Sequence, residues 1–170
     1  MKKNSWMLNE LKIIAKVLLI LSLLFIDFDG DQLSTYSEIF LHSTNAFNSD
    51  SDNDQLKDGE ELLSYYTNPK MSDTDSDGLS DGEELLLYIG SNRYQTNPLV
   101  NDSDYDGLLD GEEVNKYLTD PNWNDTDGDT LLDGEEVNTH RTDPNLVDTD
   151  GDSLDDNYEL TPRYLGSTGA

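Results

Sequence analysis

The chain has 170 residues, 37 Asp+Glu against 10 Lys+Arg, a formal net charge of −27, two His and no Cys. So acidic a balance repels a phosphate backbone and excludes nucleic acid as a partner. The missing cysteine excludes a disulfide framework, a thiolate zinc site and a cysteine nucleophile.

Residues 1–26 differ from the rest. They carry Lys2, Lys3, Lys12 and Lys16, a single acid at Glu10, and the unbroken apolar run Val17–Leu21, which continues after Ser22 to Ile26. The stretch 13–26 spans about 21 Å as a helix, short for a bilayer of about 30 Å unless the lysines snorkel. Three readings stay open: an uncleaved N-terminal membrane anchor, a signal peptide with a poor cleavage site, and a helix packed on the segment that follows. With every lysine ahead of the apolar run, the acidic part is expected outside the cell, extracellular or at the cell surface.

From residue 27 onward the only cations are Lys57, Lys70, Arg93, Lys116, Arg141 and Arg163. A chain this acidic and this poor in apolar residues stays disordered unless something neutralises it. Its acids are in register. Clusters begin at Asp27, Asp50, Asp73, Asp102, Asp125 and Asp148, at intervals of 23, 23, 29, 23 and 23 residues. The long interval holds extra residues around Gly90–Gln95. This divides the chain into six tandem repeats (27–49, 50–72, 73–101, 102–124, 125–147 and 148–165) and a 166–170 tail. Each repeat reads as an acidic loop, a helix of about two turns opening at Asp-Gly-Glu-Glu, and a Thr-(Asn/Asp)-Pro turn. The aspartate of Asp-Gly-Glu-Glu reads as helix N-cap. The predicted fold class is a repeat protein of irregular loops and short α-helices without a large sheet, preceded by an N-terminal apolar helix.

Numbering each repeat from its first Asp places carboxylates at positions 1, 3, 5 and 12 and a leucine at position 7. The candidate metal ligands are Asp27, Asp29, Asp31, Leu33 and Glu38; Asp50, Asp52, Asp54, Leu56 and Glu61; Asp73, Asp75, Asp77, Leu79 and Glu84. The other three sets are Asp102, Asp104, Asp106, Leu108 and Glu113; Asp125, Asp127, Asp129, Leu131 and Glu136; Asp148, Asp150, Asp152, Leu154 and Glu159. Alternate carboxylates converge on one point, the position 7 carbonyl adds a ligand, and the position 12 Glu closes the sphere with two oxygens. Such an all-oxygen shell suits Ca²⁺ better than Mg²⁺ or zinc, so about six Ca²⁺ are expected. The position 1, 3, 5 and 12 carboxylates use 24 of the 37 acids, where a generic acidic surface would scatter them. Position 6 is Gly only at Gly78 and Gly107; at Gly30, Gly128 and Gly151 a glycine stands two places earlier, as if to relocate the permissive φ. Position 9 Asp either ligates or only caps the helix, and position 11 Glu either faces solvent or helps a second ion. The position 7 leucine and the apolar position 13 residue make a minimum core, and Tyr65, Tyr66, Tyr88 and Tyr117 are expected to cover neighbouring repeats.

No repeat has an entering helix, so these are half EF-hands in tandem. Six such loops with Asp-Gly-Glu-Glu helices and proline turns resemble the bacterial and archaeal thrombospondin type 3 repeat over residues 27 to about 160. The resemblance implies extracellular calcium binding and order that depends on it. It implies no enzymatic activity and leaves the partner unassigned. The function expected is a calcium-binding, exported surface spacer whose repeats fold around the ion. The alternative is a calcium-dependent protein-binding or adhesion module of the dockerin-like kind, although dockerins have two such loops. Self-association, another surface protein, and the membrane through residues 1–26 are the possible further partners. The insertion 91–95 is the natural place for a contact.

Overall fold

The computed structural model describes residues 2–86 and 95–160. Tyr88, residues 91–94 of the insertion, the end of the sixth repeat and the 166–170 tail lie outside the described residues. The chain divides into two compact units, 1–72 and 73–170.

In the first unit, α1 (Lys2–Leu23) is a 22-residue helix. No helix among the described residues is long and apolar enough to cross a membrane, so the expected anchor over residues 1–26 finds no support. The physical reason is Glu10, Lys12 and Lys16, which leave too short an uncharged run behind them. The side chains of residues 7–23 stand in the open, with Leu18, Leu19 and Ile20 each more than half exposed. Only its exit is tied down. Leu24 O accepts the Tyr36 N–H at 2.7 Å, Ile26 O accepts both the N–H and the hydroxyl of Thr35, and the Phe25 and Tyr36 rings stack at 6.4 Å.

The acidic loops are followed by helices shorter than expected and of mixed type. In the first unit these are π1 (Ser37–His42), α2 (Asp58–Glu60) and π2 (Glu61–Tyr65). In the second they are α3 (Asp81–Leu86), α4 (Asp110–Glu112), π3 (Glu113–Tyr117), α5 (Asp133–Glu135), π4 (Glu136–His140) and α6 (Asp156–Leu160). No strand occurs among the described residues. The two turns of α-helix expected per repeat are thus, in the second, fourth and fifth, one α turn and one wider π turn. The position 12 carbonyl accepts the N–H five residues on: Tyr66 to Glu61 at 2.6 Å, Leu118 to Glu113 at 2.6 Å and Arg141 to Glu136 at 2.5 Å. Each donor sits in the left-handed region, at φ 64°, 62° and 66°, which ends the helix without a glycine.

The helix starts one residue earlier than the sequence suggests. Position 8, not the position 9 aspartate, is the N-cap, with extended backbone at Lys57, Leu109 and Leu132. At Ser80 a full capping box forms. Ser80 N–H donates to Glu83 Oε2 at 2.9 Å, and Glu83 N–H returns to Ser80 Oγ at 3.3 Å. Glu83, at position 11, is therefore a capping residue, and Glu83, Glu112 and Glu135 are exposed.

The apolar core is small: Leu33, Ala46, Leu56, Leu79, Leu108, Val114 and Leu131 are the buried hydrophobic residues among those described. Position 7 is buried in the first five loops. Position 13 is not a dependable second member, since Ile39 and Leu160 are exposed and only Val114 is buried. The turn residue fills that place: Pro69, Pro98, Pro121 and Pro144 are buried, and so is Ala46 where the first repeat lacks proline. Tyr66 is 74% exposed and covers no neighbour.

Successive loops within a unit stack through glycine at position 10. A Cβ added at Gly134 would stand 2.2 Å from Asp106 O, and one at Gly111 would stand 2.5 Å from Asp77 O. Backbone approaches this close admit only glycine.

Candidate metal centres

Each loop is built by its first aspartate. Its Oδ1 accepts the position 4 N–H and its Oδ2 the position 6 N–H, as in Asp102 with Tyr105 at 2.8 Å and Gly107 at 3.2 Å. The same pair forms from Asp27, Asp50, Asp73, Asp125 and Asp148. This double clamp imposes positive φ at both position 4 and position 6 in all six loops, whatever residue stands there. Position 4 holds Gly30, Asn53, Ser76, Tyr105, Gly128 and Gly151; position 6 holds Gln32, Gln55, Gly78, Gly107, Thr130 and Ser153. Glycine does not relocate the strained position; it relieves one of two.

The position 5 Oδ1 accepts the position 7 N–H, at 2.7 Å in the first five loops and 3.0 Å in the sixth. Position 12 is then brought in by the helix start. Glu38, Glu61, Glu84, Glu113 and Glu136 are all fully buried. In four of these a threonine from the Thr-(Asn/Asp)-Pro turn donates to Oε1: Thr67 to Glu61, Thr96 to Glu84, Thr119 to Glu113 and Thr142 to Glu136, at 3.0 to 3.1 Å. Sequence reasoning saw this threonine only as punctuation.

Position 9 acts as a brace. Both oxygens of Asp58, Asp81, Asp110, Asp133 and Asp156 accept from the position 2 residue, one from its N–H and one from its hydroxyl. The helix-cap role expected for it is not observed. The signal was in the sequence: position 2 is Ser or Thr wherever position 9 is Asp, and the first loop lacks both, with Phe28 and Thr35.

Carboxylates are thereby gathered. Asp27, Asp29 and Asp31 each place an oxygen within 4.8 Å of the others, and so do Asp50, Asp52 and Asp54, and Asp73, Asp75 and Asp77. Asp31, Glu38 and Asp58, all buried, form another such group. Buried carboxylate oxygens without a hydrogen-bond partner fall at the expected ligand positions. They include both oxygens of Asp29, Asp52, Asp75 and Glu38, and one each of Asp31, Asp77, Asp104, Asp127, Glu61, Glu84, Glu113 and Glu136. Buried polar atoms in folded proteins are otherwise paired. A hard cation taking oxygen ligands satisfies this set.

Electrostatics points the same way. With no cation, burial first and neighbouring aspartates second push Glu84 and Glu113 up to about 9, Glu61 to about 8, and Glu38 and Glu136 to about 7. For Glu84, Glu61 and Glu136 the threonine hydrogen bond opposes the rise. Desolvation also raises Asp104 and Asp77 to about 7 and Asp52 and Asp127 to about 6. Desolvated like charges disfavour ionisation, and a bound divalent ion reverses that preference.

The sixth loop is the open one. Asp150, Asp152 and Glu159 are exposed, whereas the first loop buries Asp31 and Glu38 fully.

Residues 73–101, 102–122 and 125–146 each match the model of the bacterial TSP3 repeat. No curated protein matches the chain. A solved structure described as "Biofilm associated protein - BSP domain" is 49% identical over 25% of this chain, with a TM-score of 0.25. The chain covers 7% of that structure's length.

Proposed function

From a chain that carries tandem bacterial TSP3 repeats over residues 73–146, a family of calcium-binding repeats, we propose that all six acidic loops bind Ca²⁺ and that the ions hold the array together. The observation that carries this reading is the set of buried, unpartnered carboxylate oxygens at positions 3, 5 and 12. The proposed ligands are the position 1, 3, 5 and 12 carboxylates and the position 7 carbonyl. Position 9 supports them from behind. The loops at 27–49, 50–72 and 148–165 belong, in this proposal, to the same repeat as the matched ones.

The apolar core per repeat is too small to offset backbone ordering at about 1–2 kcal/mol per residue. Metal binding therefore supplies folding free energy. The role is that of an exported structural spacer. Export rests on the order of residues 1–26, lysines first and then the apolar run.

Calorimetric titration of the chelator-stripped chain tests the proposal. About six Ca²⁺ bind, with Kd between micromolar and millimolar, and Mg²⁺ at the same concentration does not replace them. Two or fewer ions per chain, or equal binding of Mg²⁺, contradicts it.

A further inference from the structure

The six cations beyond residue 27 are spread among 36 acids, yet two of them flank one groove in the second unit. The groove has a volume of about 710 Å³ and lies between the end of π3 and the turn after π4. Tyr117, Leu118, Val137, Pro144 and Leu146 line it together with Lys116 and Arg141. Leu118 is 73% exposed and Leu146 49% exposed. Asn145 Nδ2 donates to Tyr117 O at 3.0 Å and ties the two walls together.

The cations have work left to do. Lys116 Nζ donates to Tyr117 Oη at 2.6 Å and lies 4.4 Å from that ring's centre, so its position is fixed and two donors remain. Arg141 is held by its backbone, N–H to Glu136 O, while its guanidinium makes no hydrogen bond or ion pair among the described residues. Asp143, the one carboxylate on the lining, already accepts from Asn145 N–H at 3.1 Å and Nδ2 at 3.3 Å. At the equivalent places of the first two repeats, Lys116, Leu118, Arg141 and Leu146 are replaced by Leu41, Ser43, Tyr66 and Met71, so apolar residues recur there and the pair of cations does not. The cation pair is thus a property of these particular residues, not of the repeat.

We propose that this groove docks a short peptide segment of a partner protein in which acidic and aliphatic residues alternate. The aliphatic side chains cover Leu118 and Leu146, and the carboxylates pair with Arg141 and Lys116. The chain's net negative charge opposes such a ligand at long range. At physiological salt the Debye length is about 8 Å, so the local pairs decide. The inference goes beyond calcium-stabilised folding, since none of the groove residues is a proposed calcium ligand.

The test uses the full chain in saturating Ca²⁺ at physiological salt, with the fold checked by far-ultraviolet circular dichroism, and a fluorescein-labelled Asp-Leu-Asp-Leu-Asp peptide. Anisotropy should show saturable binding, at least tenfold weaker for the Asn-Leu analogue and absent for the Lys-Leu analogue. Arg141→Glu and Leu146→Ser should each weaken it at least tenfold. Amide shift mapping on the unaltered chain removes any dependence on how the variants fold; perturbations should concentrate at 116–118 and 141–146. Equal binding of the lysine analogue, shifts confined to other residues, or no binding at millimolar peptide overturns the proposal. So does a dimer that forms without peptide and is lost in Arg141→Glu, which would make a second copy of the chain the occupant.

Discussion

At the scale of single residues, function is concentrated in groups that a folded protein would ordinarily not bury. Glu113 is fully buried, one of its oxygens holds Thr119 Oγ1, and the other has no partner. Replacing it with Gln keeps the shape and removes the charge. Calcium affinity of that loop should fall at least tenfold in calorimetry, with the other loops unaffected. The raised carboxylates also fix a pH dependence. In the ion-free folded state Glu84 and Glu113 titrate near 9 and Glu61 near 8, against an ordinary value near 4.3 when unfolded. The stability they allow is fully present below the unfolded value and is lost progressively as pH rises from there through the folded values of about 8 to 9. Acidifying the calcium-free chain from pH 8 to pH 5 should therefore increase its helix signal. In the calcium-bound chain the sign reverses: affinity rises with pH, and binding at pH 7 releases protons, measurable by calorimetry in buffers of different ionisation heat. Backbone strain gives a further residue-scale test. Tyr105 sits at φ 64°, and Tyr105→Gly should stabilise the calcium-loaded chain by about 1 kcal/mol in chemical denaturation.

At the scale of the element, the repeat is a clamp, a brace and a stack. The clamp is the position 1 aspartate, the brace is position 9 with the position 2 hydroxyl, and the stack is glycine against the preceding loop. Gly134→Ala drives a Cβ into Asp106 O and should destabilise by about 1–3 kcal/mol. Thr119→Val removes the hydrogen bond to Glu113 and should cost about 1 kcal/mol in the same assay. Much of this element was legible in the sequence. Carboxylates at positions 1, 3 and 5 need fixed spacing to converge, and in the first three loops they stand close together. The π turn was not legible, because it depends on the position 12 carbonyl choosing the fifth N–H over the fourth. The strain at Ser76 and Tyr105 was hidden for a different reason: the Asp73 and Asp102 clamps impose it on residues that do not advertise it. The brace was legible and overlooked, since Phe28 and Thr35 depart together from the pattern that Ser51 and Asp58 set.

At the scale of the whole molecule, the −27 charge becomes, under the proposal, a ligand inventory. Six Ca²⁺ would contribute twelve positive charges and leave the chain still negative, which keeps loss of calcium costly at every loop. The N-terminal helix does not follow this logic. Its exit occupies, through Leu24 O, the place against the Tyr36 N–H that the position 5 carboxylate of the preceding loop takes at Gly134 and Asn157. No sequence pattern marks that substitution, because it is made by backbone carbonyls. The most direct measurement is the two-dimensional amide spectrum of the chain in calcium and after chelation. In calcium, the amides of Leu33, Leu56, Leu79, Leu108 and Leu131, each donating to a position 5 carboxylate, should be well dispersed. After chelation at neutral pH they should collapse to random-coil positions and return when calcium is restored. A dispersed spectrum that does not change on chelation would show that the carboxylate core stands without the ion.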